Sequence, residues 1–412
     1  MKVKKPNGIY LNIYQLACYI SLFIVALPVV DYYCSWYITL LPFLLITYRL
    51  FRYKRTFVSV CYSMVLAIAF VLLQYWGIYR NEEFFMWMID GIIVWLPCII
   101  ALYIKENNND KFVKNYLQMY IIMTTITSVT TIIGLIMYPT ASRELASGTA
   151  VYDTTKYTIR NIGGYQHVYA LVVLIPILMW FIKRTEKVLR IVNVVALVIN
   201  LYCIYRSQYT ISIIIAAIIF ALTVVKRFKK TMVVTMILLG TIFLFNANSV
   251  MEKLSSGFEY VSERIGMDYV GDRLLQVSQL LEGASIHTET STERIDYYKQ
   301  CIKKFSENPV VGHNMWEFSE DNITGHTMIL DTMSGMGILG LVLVAIIFII
   351  SYRVVIKVNG KKISSTILLT WMAFVAVSLL NPSSFMTIYM ILFVLAVCVQ
   401  RLEKKDENSV AV

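Results

Sequence analysis

The sequence predicts an all-α polytopic membrane protein, on three observations. Of 412 residues, 58% are hydrophobic and only 15% charged, where soluble globular chains average roughly 25% charged. Apolar runs long enough to cross a bilayer, about 17–25 residues, recur along the chain. The basic residues gather on alternate connections between those runs, as the positive-inside rule requires. This composition excludes a disordered chain and argues against a soluble multidomain enzyme. On a soluble surface the net charge of +11 would suggest a nucleic-acid partner. In a membrane protein it is the normal excess of the cytoplasmic loops.

Twelve spans are expected, at 10–30, 36–48, 57–79, 84–104, 115–138, 165–182, 188–205, 209–225, 231–247, 327–350, 364–380 and 384–400. Spans 36–48 and 364–380 are short. The first run is too long for a signal peptide, and no small-x-small cleavage site follows Pro28. With the connections numbered alternately from the N-terminal tail, one set holds 25 of the 37 Lys and Arg and the other 12. Both termini are therefore expected in the cytoplasm. The chain divides into spans 1–9 (residues 1–247), a large extracytoplasmic loop (248–326), and spans 10–12 with the tail (327–412).

The two long connections, 139–164 and 248–326, both fall outside. The second carries seven basic and thirteen acidic residues. A structureless loop of that length is uncommon in a compact protein, so it should contain helices lying on the membrane. The best of these is 291–306, with Thr290 and Glu293 as a capping box and Asn308-Pro309 as the stop. Ile295, Tyr298, Ile302 and Phe305 form its apolar stripe, read as a packing face.

Unusual polar residues collect at the outer membrane face. Asp90 and Asp331 fall about 9 and 6 Å inside its edge at helical rise. His167 and His326 lie at the outer starts of spans, and Arg160 and Arg206 at outer span edges. Intramembrane carboxylates are costly, and are either functional or paired. Each group also has a plainer reading: Asp90 and Asp331 as partners of Ser, Thr or Tyr on neighbouring helices, the arginines as lipid-phosphate anchors, and the histidines as structural. The cysteines form no disulfide framework, and no CxxC, HExxH, Walker or GxGxxG motif occurs. No cofactor is indicated. No metal is indicated either, since no outer loop contains Asp-x-Asp.

The most specific stretch is 292–341. Arg294 opens an amphipathic helix, followed by the turn Asn308-Pro309-x-x-Gly312, then His326, then a helix containing Gly337-Ile338-Leu339-Gly340. This order resembles the end of the large periplasmic loop in the O-antigen ligase and O-antigen/capsule polymerase superfamily. Thr327 stands where that family usually has Asn after the His. Tyr205-Arg206-Ser207-Gln208 is a looser match to the family's Ser-Arg-Gly, and Gly163-Gly164 before a span matches a third family position.

The resemblance implies a GT-C-like membrane glycosyltransferase, with the polymerase branch favoured. Its donor would be an undecaprenyl-pyrophosphate-linked oligosaccharide. Its other partners would be membrane lipids and, for a polymerase, a chain-length regulator, with no nucleic acid. The chemistry asks for such residues. Arginine grips phosphate with a planar, permanently charged fork, a role for Arg206, Arg294 and Arg160. Histidine accepts a hydroxyl proton near neutral pH, a role for His326, though a helix N-terminus also suits an anion there. Asp331, Asp90 and His167 are supporting polar residues. Tyr260, Tyr269, Tyr297, Tyr298, Trp316 and Phe318 are either sugar-stacking platforms or ordinary interfacial aromatics. A ligase would use a lipid core as acceptor. A lipid-linked oligosaccharide flippase would be expected to carry midplane charges and repeat symmetry, and neither is visible here.

Overall fold

The structure is a computed structural model that describes residues 12–34, 36–51, 96–107, 109–139, 141, 144–145, 154–207, 209–224, 289–313, 327–355, 364–380 and 386–410. Among these residues there are helices and connections and no strand. Spans 57–79 and 231–247 lie outside them, as does the part of span 84–104 that holds Asp90. In chain order the helices are α1 (Ile13–Ala26), α2 (Pro28–Tyr33), α3 (Trp36–Phe51), α4 (Leu96–Glu106), α5 (Asp110–Met137) and α6 (Thr155–Ile159). Then come α7 (Tyr165–Ile182), α8 (Lys187–Arg206), α9 (Thr210–Val224), α10 (Glu289–Glu307), α11 (Met328–Val355) and α12 (Ser365–Leu380). The last is α13 (Met386–Tyr389), which runs through a π-helical stretch (Met390–Leu395) into α14 (Ala396–Val410).

Five described helices are long and apolar enough to cross a membrane: Asp110–Met137, Tyr165–Ile182, Lys187–Arg206, Met328–Ile346 and Met386–Lys404. Shorter apolar helices occupy Ile13–Ala26, Leu41–Leu50, Ser212–Val224 and Ser365–Leu379. α7 is the hub. It is buried almost all round, packing on α8, α9 and α12, as a helix apolar on every face should.

α5 and α8 are inside-out by the standard of a soluble protein. α8 buries Asn193, Asn200 and Cys203 and turns Val188 (75% exposed), Ile191 (66%) and Val198 (60%) outward. α5 buries Thr124, Thr127, Ser128 and Thr131 and exposes Ile126, Val129, Ile133 and Ile136. Facing hydrocarbon, apolar side chains lose nothing by exposure, while polar ones must find partners inside. They do so. Gln118 and Asn193 exchange amide hydrogen bonds of 2.9 and 3.2 Å between α5 and α8.

Arg401 pairs with Asp110 at 3.0 Å and donates to the Ile104 carbonyl at 2.7 Å, tying α14 to the ends of α4 and α5. The Glu403 carboxylate accepts from Trp180 Nε1 at 2.8 Å and from Ser364 Oγ at 2.9 Å.

Four expectations are corrected. Span 10–30 is not one helix. It breaks at Leu27 (φ −118°, ψ 105°) because Pro28 disfavours the helical conformation in the residue before it. The Ala26 carbonyl freed there accepts from Thr127 Oγ1 at 2.9 Å. Span 327–350 contains a non-helical break at Gly337. The outer-loop helix begins at Glu289, so Thr290 lies inside it rather than capping it. Its packing face is also turned from the expected stripe. Tyr297 and Cys301 are buried and Ile302 is 55% exposed, because Tyr297 has a carboxylate to reach on α11.

Candidate functional site

The site is built around a joint between α10 and α11. Asn308-Pro309 ends α10, and the chain turns through Gly312 at φ +70°. The Gly312 N–H donates to the Asn308 carbonyl at 2.9 Å, and Asn308 Nδ2 to the Gly312 carbonyl at 2.8 Å. This closed turn seats on the break in α11, where Gly337 has φ +61°. A broken helix leaves carbonyls unpaired on one side and N–H groups on the other. The turn supplies both kinds of partner. The carbonyls of Pro309 and Val310 accept from the N–H groups of Ile338 and Leu339 at 2.9 and 3.1 Å. The N–H of His313 donates to the Ser334 carbonyl at 2.8 Å.

Only glycine allows this approach. A Cβ on Gly337 would lie 2.4 Å from the Val310 oxygen, and one on Gly312 would lie 2.4 Å from the Met336 nitrogen. Both also have the left-handed conformation that glycine tolerates at least cost. The Asn-Pro-x-x-Gly turn and the Gly-Ile-Leu-Gly segment are thus two halves of one joint.

A second fastening lies one layer out. The Tyr297 hydroxyl donates to Asp331 Oδ1. Asp331 Oδ2 accepts from the Thr327 N–H at 3.3 Å, and Thr327 Oγ1 accepts from the Leu330 N–H at 3.0 Å. Thr327 is therefore the N-cap of α11, a role that Asn serves equally well, and this makes physical sense of Thr at that position. Burial and the neighbouring carboxylate hold the Tyr297 phenol well above its ordinary pKa, and burial raises the Cys301 thiol. Tyr297 is 6% exposed, so it is a fastening and not a platform for sugar. Asp331 takes the tyrosine-partner role that its depth allowed.

Arg294 belongs to α10, one helical turn before Tyr297. His326 immediately precedes the Thr327 cap and lies outside the described residues, as does Asp90. α10 packs against α11, so the helix carrying Arg294 is pressed on the helix that His326 precedes. His313, unremarked in the sequence, lies 3.5 Å from a Glu307 carboxylate oxygen.

A second group of polar residues lies between α5, α7 and α8. His167 Nε2 is 3.1 Å from Ser128 Oγ, and Ser128 Oγ is 2.8 Å from Asn200 Oδ1. Ser128 has one proton, for which Asn200 Oδ1 and the Thr124 carbonyl already compete. Gly163 makes room for this histidine, since a Cβ there would lie 2.7 Å from the His167 side chain.

Arg206 ends α8, about 9 Å beyond Asn200 at helical rise, where the helix dipole favours a cation. Its Nε is buried without a hydrogen-bond partner among the described residues. Arg160 is exposed at the end of α6. It donates to the Lys156 carbonyl at 2.7 Å and lies 5.4 Å from the Tyr138 ring centre. The next residue, Asn161, has φ +56°. Its side chain accepts from the Val29 N–H and donates to Thr127 and Thr130, fixing the loop that carries Arg160 onto α2 and α5.

Among the described residues no three His, Cys, Asp or Glu side chains converge as metal ligands. No protein-family model, no curated protein and no solved structure matches the chain.

Proposed function

We propose that this protein is a membrane glycosyltransferase that polymerises undecaprenyl-pyrophosphate-linked oligosaccharide units into a surface polysaccharide. In this reading it has a GT-C-like fold of twelve spans in the bacterial cytoplasmic membrane, both termini inside and the active site facing outward. The observation that carries it is the joint. The two segments of the family-like stretch, 308–312 and 337–340, interlock backbone to backbone, which holds the Arg294 helix against the helix that begins after His326.

The reaction asks three things of the chain. An acceptor sugar hydroxyl attacks the anomeric carbon, the bond from that carbon to the pyrophosphate oxygen breaks, and the hydroxyl proton leaves. Arg206 and Arg294, with Arg160 third, neutralise the lipid pyrophosphate that departs. His326 takes the proton. The Nε of Arg206, buried without a hydrogen-bond partner among the described residues, suits an anion more than a structural role, because a buried guanidinium nitrogen without an acceptor is costly.

The test is to replace Arg206, Arg294 and His326 by Ala one at a time and resolve the surface glycan on gels. Each variant should keep the single repeat unit and lose the long-chain ladder. An intact ladder in all three overturns the proposal, and loss of the single unit from the outer leaflet points to lipid-linked oligosaccharide translocation instead. Purified protein given lipid-linked repeat units alone should build a ladder. No growth until a lipid core is added would make it a ligase.

A further inference from the structure

A cavity of about 270 Å³ opens where the end of α1, α2, the 154–164 loop, the start of α7 and α13 meet. It lies near the lower limit of ligand pockets, about 300–1,000 Å³, a size suited to one small ring. Its polar wall is made by Asp31, Thr158, Tyr165, Gln166, His167 and Thr387, against apolar groups that include Pro28 and Met386. Three features of that wall select a ligand class. Among the described residues its wall contains no Lys or Arg, so nothing described there would neutralise a phosphate or pyrophosphate. It is too rich in hydrogen-bonding groups for an acyl chain, which would leave them unsatisfied. It combines a carboxylate, an amide, hydroxyls and an aromatic ring, the groups that hydrogen-bond and stack on a polyol. Thr387 Oγ1 is buried without a hydrogen-bond partner among the described residues, an unsatisfied group of the kind that bound hydroxyls repay.

We propose that this cavity is a binding subsite for one neutral sugar ring. Asp31 is its anchor, accepting from two sugar hydroxyls, with Gln166 and Thr387 completing the ring of partners. The assignment rests on the glycosyltransferase reading for its role, which is to seat one residue of the glycan. The binding itself stands apart from that reading.

The experiment uses full-length protein in nanodiscs. It titrates D-glucose, D-galactose and N-acetylglucosamine by saturation-transfer NMR, with inorganic phosphate and ethanolamine as controls. At least one neutral sugar should bind in the millimolar range. Asp31→Asn and Thr387→Val should each weaken it by about tenfold, as loss of one hydrogen bond in a charged or buried setting does, with thermal midpoints unchanged. Arg206→Ala should leave sugar binding intact. Absence of neutral-sugar binding overturns the proposal, and so does binding insensitive to both variants. Phosphate or ethanolamine binding in place of sugar overturns it in favour of a lipid headgroup. Sugar binding that persists while the arginine and His326 variants keep their ladder would sink the polymerase reading and leave the subsite standing.

Discussion

Polar groups are secured in opposite ways in two regions of this molecule. Between α5, α7 and α8 they meet side chain to side chain, as in the Gln118–Asn193 pair and the His167–Ser128–Asn200 chain. At the joint of α10 and α11 the contact is backbone to backbone, with glycine at φ +70° seated against glycine at φ +61°. The seam is redundant. Its hydroxyls can turn back to their own helix carbonyls, as Thr124 and Thr131 do. The joint is tight, a Cβ on either glycine meeting an atom of the other segment at 2.4 Å, and the N–H groups of Ile338 and Leu339 are held by the turn carbonyls. Damage should therefore spread differently from the two.

The largest effect is expected at Gly337. Gly337→Ala puts a methyl 2.4 Å from the Val310 oxygen at a left-handed position. The cost should exceed about 3 kcal/mol, in the range reserved for strain and clash. A thermal melt of the purified protein should show the loss, and under the proposed polymerase function the polysaccharide ladder should go with it. Gly312→Ala should behave the same way. If either melts like wild type, the joint is not the rigid element described here.

Tyr297→Phe comes next. It leaves Asp331 without its phenol donor, at about 1–3 kcal/mol. Limited proteolysis should read it as faster cleavage near 289–313. Asp331→Asn, which keeps an acceptor for Thr327, should cost less than Asp331→Ala. Equal losses would mean that the carboxylate does not cap α11.

The seam should yield less. A double-mutant cycle with Gln118→Leu and Asn193→Leu is expected to give a coupling of about 0.6 kcal/mol, and no more than about 1.7, the range for hydrogen bonds between membrane helices. A coupling as large as the Gly337 penalty would erase the contrast between the two regions. Smallest of all is the stability effect of Arg160→Ala, within about 0.5 kcal/mol, because the side chain is exposed and held by Tyr138 and its own helix. Any loss of polymer in that variant would then report on function and not on folding.

Much of the fold was legible in the sequence because hydrocarbon is an undemanding solvent to read. α7 spans Tyr165–Ile182, the limits expected, and α8, α9 and α12 begin and end within a residue or two of theirs. Length and apolarity suffice where each backbone group is satisfied within its own helix. The phase of α10 was not legible. Its apolar stripe pointed to Ile302, but the partner that decides its rotation, Asp331, lies on another helix. Gly337 was hidden for a related reason. Within an apolar run a glycine reads as an ordinary membrane-helix residue, and only the turn at 308–312 makes it a break.

By itself the sequence determined that the chain is helical and apolar enough to cross a membrane. Those are properties of composition and local order. The tertiary structure decided that the segments 308–312 and 337–340 form one joint, that Tyr297 fastens it to Asp331, that the histidine at 167 belongs to a hydrogen-bonded seam, and that a cavity with no Lys or Arg among its described wall residues opens beside it. Each of those depends on which groups meet across helices distant in sequence, and only packing settles that.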